Sequence, residues 1–270
     1  MNSLVPIRLK HMADSSLTSE TKQVSSLSPK PVGVLLIHGL NGGIHDMEEL
    51  TAFLSSFGMV AETILLPGHG THVRDMLPIG WEDWADAVRI ALQDLRRRCE
   101  RVFLVGHSLG GALCLHIAAH EEIAGLVTMC APINMYPGML TAVRMVKRVT
   151  PWLPTVREDV RDPVARRAHT RGVYRWTPMA PVESMLQYLP LLRAELPSVK
   201  VPILIMTAIH DHVVPARDGR AIYRLVGSQE KHLLTLHNSY HVIMKDHDRE
   251  EVFARTLAFI QRHASKGTQV

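Results

Sequence analysis

From residue 31 onward the chain alternates solid apolar runs with stretches whose apolar residues recur at helical spacing. The runs are "VGVLLIHG" (32–39), "MVAETILLPGHG" (59–70), "RVFLVG" (101–106), "IAGLVTMCAP" (123–132), "VPILIMTA" (201–208) and "HLLTLH" (232–237). They are short, rich in Val, Ile and Leu, and bounded by turn residues, so they read as strands. A strand that is apolar on both faces needs protein on both faces, which predicts a parallel sheet covered by helices on either side. The helical stretches are "DMEELTAFLSSFG" (46–58), "GWEDWADAVRIALQDLRRR" (80–98), "GALCLHIAAHEE" (111–122) and "REEVFARTLAFIQRHA" (249–264). Residues 1–30 lack this rhythm. Their Ser, Thr and Lys content reads as a flexible leader, with Leu4, Val5 and Ile7 as a competing edge strand.

Composition narrows the picture. A chain of 270 residues, 46% of them apolar, buries a full core and reads as one large α/β domain carrying an insertion. The net charge of +4 is mild, and no Lys/Arg run alternates with aromatics, so no nucleic-acid partner is expected. The three cysteines, Cys99, Cys114 and Cys130, are odd in number, and two lie in stretches that read as buried. They are expected to be thiols in a reducing compartment, without a disulfide. "MNSLVPIRLKHM" has no apolar segment of signal-peptide length, and a cytoplasmic location is the expectation.

One junction carries chemistry. In "VFLVGHSLGGALCLHIAAH" (102–120), Ser108 stands between an apolar strand and a helical pattern, with Gly106 two residues before it and Gly110 two after. The G-x-S-x-G spacing lets the chain turn sharply and lifts the serine hydroxyl above the strand ends. The same turn sets a backbone N–H and the positive end of a helix beside the hydroxyl, where negative charge would develop on an attacked carbonyl. A serine nucleophile needs a base and an acid, which in this architecture follow it in the order acid then histidine. Asp211, just beyond the "VPILIMTA" strand, is the candidate acid. Asp218 falls inside the following helical pattern and is the poorer choice. His241 in "HNSYHVIM" is the candidate base, and His237 and His247 remain alternatives. In "LLIHGLNGG" the amide of Leu40 is the expected partner of the Leu109 amide in an oxyanion hole, and His38 reads as a brace for that loop.

Taken in order, "LLIHGLNGG", "LLPGHGTH", "GWEDWADAV", "VGHSLGGALCLHIA", "GLVTMCAPI", "HDHVVP" and "NSYHVI" resemble the α/β-hydrolase superfamily, in particular small bacterial carboxylesterases and monoacylglycerol lipases. The likeness spans about residues 31–265. It implies an α/β-hydrolase fold: a mostly parallel central sheet, helices on both faces and a small inserted cap. It also places Ser108, Asp211 and His241 in triad positions and Leu40 and Leu109 at the oxyanion amides. The activity it implies is hydrolysis of carboxylic esters without a metal or organic cofactor, on a small-molecule ester substrate.

The expected layout is a leader (1–30), a hydrolase core (31–133 and 200–270) and a cap (134–199). The cap departs from the acidic, lysine-rich pattern of the similar carboxylesterases: residues 134–200 hold nine Arg and two Lys against five acids. That charge suits anionic substrates or peripheral contact with a lipid surface, and equally suits solvated helix faces. Within the cap, Met135, Met139, Trp152 and Leu189 are the candidates for an apolar acyl pocket, fitting short-to-medium acyl esters or monoglycerides. A thioesterase or peptidase would use the same triad, and a small-molecule receptor would keep the fold without catalysis. The expected assembly is a monomer or homodimer.

Overall fold

The computed structural model describes residues 31–134, 136–155, 159–169 and 173–265. The expected leader and Met135 lie outside them. In chain order the strands are β1 (Val32–Ile37), β2 (Val60–Ile64), β3 (Arg101–His107), β4 (Gly125–Met129), β5 (Trp152–Pro154), β6 (Trp176–Pro178), β7 (Ile203–Ala208) and β8 (Lys231–Leu236). The helices are α1 (Ile44–Ser56), α2 (Trp81–Arg98), α3 (Leu109–His120), α4 (Met139–Val149), α5 (Pro163–His169), α6 (Met179–Glu195), α7 (Arg217–Leu225) and α8 (Arg249–Ala264).

Six strands form one sheet in the order β2-β1-β3-β4-β7-β8. Every neighbouring pair is parallel. Because side chains alternate across a strand, β1 feeds two separate cores. Val34 and Leu36 pack with Met47, Leu50 and Leu54 of α1 and with Val252 and Ile260 of α8. Leu35 and Ile37 pack with Trp84, Val88 and Leu92 of α2 and with Leu113 and Ile117 of α3. The expected α/β-hydrolase architecture is therefore present. Strand order reverses direction at β1, so the loops after β1 and β3 diverge there, and crevices of this kind beyond the strand ends are where open α/β sheets bind ligands.

Helix α3 differs from the amphipathic pattern expected of it. Leu109 through Ala118 are all buried, because α2 and α6 pack over the side that would otherwise face solvent. The segment between β4 and β7 holds α4, α5, α6 and an antiparallel pair, β5 with β6, that the sequence reading did not foresee. Three-residue strands are too short to show a period. Glu183 on α6 binds Arg144 and Lys147 of α4, which neutralises part of this segment's positive charge internally. Asp218 on α7 accepts the amides of Ile133 and Asn134 and fixes where the segment leaves the sheet.

Phe103 is fully buried on the central strand β3, edge-on to Phe259 of α8. Phe103→Ala is expected to lower the unfolding free energy by about 3–5 kcal/mol in a urea titration. A loss under about 1 kcal/mol would place the stabilising core elsewhere.

Candidate active site

Ser108 occupies the single residue between the end of β3 and the start of α3 and adopts φ 51°, ψ −119°. A non-glycine residue in such a conformation costs on the order of 1–3 kcal/mol and persists only where its surroundings enforce it. Here the enforcement is visible. The Ser108 amide donates to the Met129 carbonyl at 2.8 Å, tying the corner to β4. A Cβ on Gly106 would collide with the Gly110 carbonyl, and one on Gly110 would strike the carbonyls of Ile37 and His38. Both glycines are needed so that α3 can lie directly against β1 and β3.

The loop after β1 crosses the same corner. A Cβ on Gly39 would stand 3.1 Å from Ser108 Cβ, which measures how closely the two backbones approach. His38 holds this loop as expected: Nδ1 donates to the Gly39 carbonyl at 2.8 Å and Nε2 accepts the Leu66 amide at 3.1 Å. Burial pulls its pKa down, consistent with a neutral ring that donates from one nitrogen and accepts at the other. Among the described residues, no hydrogen bond occupies the amide of Leu40 in this loop or that of Leu109 at the first position of α3. The first N–H groups of a helix have no partner within it.

Asp211 lies beyond β7. Its Oδ1 accepts the amides of Val213 and Val214, each at 2.8 Å, and its Oδ2 accepts His241 Nδ1 at 2.7 Å. Burial pushes the carboxyl pKa up, but the His241 charge and hydrogen bond, with the two amides, hold it below its usual range. Burial pulls the His241 imidazole down, and the Asp211 charge and hydrogen bond, with Asp159 nearby, leave it above its ordinary value of 6.5. The loop carrying His241 is pinned on both sides. Asp246 accepts the amide of Tyr240 together with those of Arg161 and Asp162, and Asp248 accepts Asn238 and Ser239.

Ser108 and His241 line one cavity of about 480 Å³. Its other walls are largely apolar and come mostly from the segment between β4 and β7: Met139 and Val143 of α4, Leu153 of β5, and Met179, Val182, Met185, Leu186 and Leu189 of α6. No hydrogen bond among the described residues joins the Ser108 hydroxyl to the imidazole. Of the expected acyl-pocket residues, Met139 and Leu189 line the cavity, as does Leu40. Trp152 does not line it among the described residues, which is a correction: Leu153 and Pro154, the two residues that follow it in β5, line the cavity in its place. Asp218 also borders the cavity, but its carboxylate is occupied by Ile133 and Asn134.

Residues 29–248 match the family described as serine aminopeptidase, S33. The chain belongs to this family. Among its relatives, a thermostable monoacylglycerol lipase from Bacillus sp. (strain H-257) is 32% identical over 87% of this chain and 92% of the relative. A carboxylesterase from Bacillus subtilis (strain 168) is 26% identical over 87% and 98% respectively. A solved structure of metagenome-derived lipolytic enzymes superposes with a TM-score of 0.80 at 33% identity, covering 87% of this chain and 96% of that one. The monoacylglycerol lipase of Paleococcus ferrophilus, at a TM-score of 0.73 and 21% identity, shares the fold.

Several groups at this S33 site carry no mark in the sequence. His107 is buried, its Nε2 donates to the His241 carbonyl at 3.1 Å, and burial drives its pKa down to about 3. Asn41 holds φ 62° and donates through Nδ2 to Thr177 at 2.7 Å, joining the loop after β1 to β6. The positive φ of Cys130 likewise went unforeseen. Local spacing signals the glycines of the corner but not these long-range contacts.

Gly106→Ala tests the close packing at the corner. The added methyl meets backbone rather than a movable side chain, so the variant is expected to lose about 1–3 kcal/mol of stability or more in chemical unfolding. Wild-type stability would mean that α3 is free to shift.

Proposed function

We propose that this protein is a serine hydrolase of carboxylic esters, with short-to-medium acyl esters or monoacylglycerols as substrates. The observation that carries the reading is the 2.7 Å contact between Asp211 and His241 at the rim of an apolar cavity that also receives the strained Ser108. The lipase and carboxylesterase names of its relatives support the same class of substrate.

In this reading Ser108 Oγ attacks the ester carbonyl while His241 Nε2 takes its proton, Nδ1 being committed to Asp211. The buried carboxylate orients the ring and stabilises the imidazolium. The amides of Leu40 and Leu109 receive the oxyanion, each worth about 3–4 kcal/mol in the transition state. The imidazolium then protonates the leaving alcohol, and water repeats the sequence to release the acid. Residues 134–199 act as a cap, and Met139, Leu153 and Leu189 contact the acyl chain. Tyr136, Met139 and Leu153 are exposed as well as cavity-lining, and with the nearby basic side chains they suit peripheral contact with a lipid surface.

A peptidase is the second reading, favoured by the family's description as an aminopeptidase. A panel of p-nitrophenyl esters, monoacylglycerols, thioesters and aminoacyl amides separates the two, and faster turnover of the amides would overturn the ester assignment. Ser108→Ala is expected to lower kcat/KM by at least about 10⁴-fold with unfolding unchanged. A fluorophosphonate should label Ser108 alone, and labelling that survives the substitution would remove Ser108 from this role.

Only the neutral imidazole accepts a proton, and the pKa of His241 is raised. The kcat/KM value should therefore increase with pH through a midpoint above 6.5. Asp211→Asn should move that midpoint down and reduce the rate on the order of 10³–10⁴-fold. An unmoved midpoint would detach Asp211 from the titrating group.

A further inference from the structure

Three side chains outside the triad converge where the core meets the segment between β4 and β7. His45 and Asp46 stand in the first turn of α1, and His169 is the last residue of α5. Asp46 Oδ1 lies 3.0 Å from His45 Nε2 and 3.1 Å from His169 Nδ1, and all three atoms fall within 4.8 Å of one another. These are ion-pair distances, yet neither contact has hydrogen-bond alignment: among the described residues none of the three atoms has a hydrogen-bond partner. The nitrogens therefore do not aim at the oxygen they approach.

Asp46 is 3% exposed, and a carboxylate so buried is stable only when a cation or a metal ion meets it. Among the described residues no Lys or Arg pairs with it, and its ion pairs are those with the two imidazoles. Burial pushes the carboxyl pKa up, but the contacts with His169 and His45 hold it well below the usual range, so the group is an anion. Its other oxygen, Oδ2, accepts the Gly43 amide at 3.2 Å, and a Cβ on Gly42 would overlap the same atom. The carboxylate is thereby fixed with Oδ1 turned to the imidazoles, as outer contacts orient a metal-binding carboxylate.

Two imidazole nitrogens and one carboxylate oxygen are a donor set for divalent transition metals, with three protein ligands leaving a position for water. Bonds of about 2.0–2.1 Å to one tetrahedral ion set two ligand atoms roughly 3.3 Å apart, close to both contacts of Asp46. An approach exists as well: the His45 side chain is 34% exposed and borders an outer cavity of about 410 Å³. A second group of metal-ligating residues, His116, His120 and Glu195, is weaker, because His116 Nδ1 is already hydrogen-bonded to Glu195 at 2.8 Å.

We propose that His45, Asp46 and His169 bind a divalent transition-metal ion of the zinc class, which clamps α5 onto α1. The ion is structural, takes no part in the ester chemistry, and does not depend on the ester-hydrolase reading.

The test titrates EDTA-treated, desalted full-length protein with CoCl2 and ZnCl2 at neutral pH. Wild type should take up one equivalent, with a visible Co²⁺ band that ZnCl2 abolishes. Excess ZnCl2 should raise the unfolding midpoint by about 5 °C. His45→Gln and His169→Gln should each weaken binding at least about tenfold, whereas His120→Ala should titrate like wild type. His45→Gln, at the partly exposed position, covers the case of a His169→Gln chain that fails to fold. Zinc should also slow tryptic cleavage after the exposed Arg167 of α5 at least about threefold in wild type and leave it unchanged in His45→Gln. Absence of a saturating equivalent in wild type would overturn the proposal. So would loss of the ion in His120→Ala with retention in His45→Gln, or bound zinc that leaves cleavage at Arg167 unslowed.

Discussion

The site depends on how closely α3 approaches the sheet. Gly110 rests on the carbonyls of Ile37 and His38, and Gly106 rests on Gly110, so no side chain fits between helix and strands at this level. A chain that leaves β3 and must enter α3 within one residue has few backbone solutions, and Ser108 takes a strained one. The strain is held by the hydrogen bond to Met129 and by the buried surface of α3, which contacts protein on every side. The same approach brings the loop after β1 over the serine. The amides of Leu40 in that loop and of Leu109 at the start of α3 have no hydrogen-bond partner among the described residues.

Charge is handled in a matching way. A carboxylate as buried as Asp211 is costly unless its oxygens are met, and two amides and an imidazole meet them. His241 in turn cannot wander, because Asp246 and Asp248 hold the backbone on either side of it. Asp246 also holds Arg161 and Asp162, so the stretch around Asp159 and the histidine loop are anchored to one carboxylate. A displacement of either would be felt by the other. Different elements border the two cavities that meet at Ser108: α4 and α6 supply apolar side chains to one, while polar residues of the loop after β1 and of the stretch ending at His169 border the other.

The positive charge of residues 134–200 has a mixed explanation. Arg144 and Lys147 are committed to Glu183 within the segment, and Arg193 donates to Asn134. What those side chains contribute is cohesion between α4, α6 and the exit from β4. Exposed pairs of this kind are each worth under about 1 kcal/mol, so the packing of α4 on α6 contributes more.

By itself the sequence determined the features whose cause is local. Apolar runs of strand length required a sheet covered on both faces, and Gly106, Ser108 and Gly110 required a sharp strand-to-helix corner. The order of Ser108, Asp211 and His241 along the chain pointed to strand ends on one edge, and His38 was legible as a brace. Tertiary structure alone decided features that depend on residues far apart in the chain. Which residues of β5 meet the cavity, Leu153 and Pro154 in place of Trp152, follows from where the β5–β6 pair sits over the site, which three residues cannot announce. The burial of α3 on every side from Leu109 through Ala118 follows from its neighbours and not from its own pattern. That Asn41, His107, Asp159 and His169 border one small recess is a matter of packing between segments, because no local pattern brings residues so far apart in the chain together.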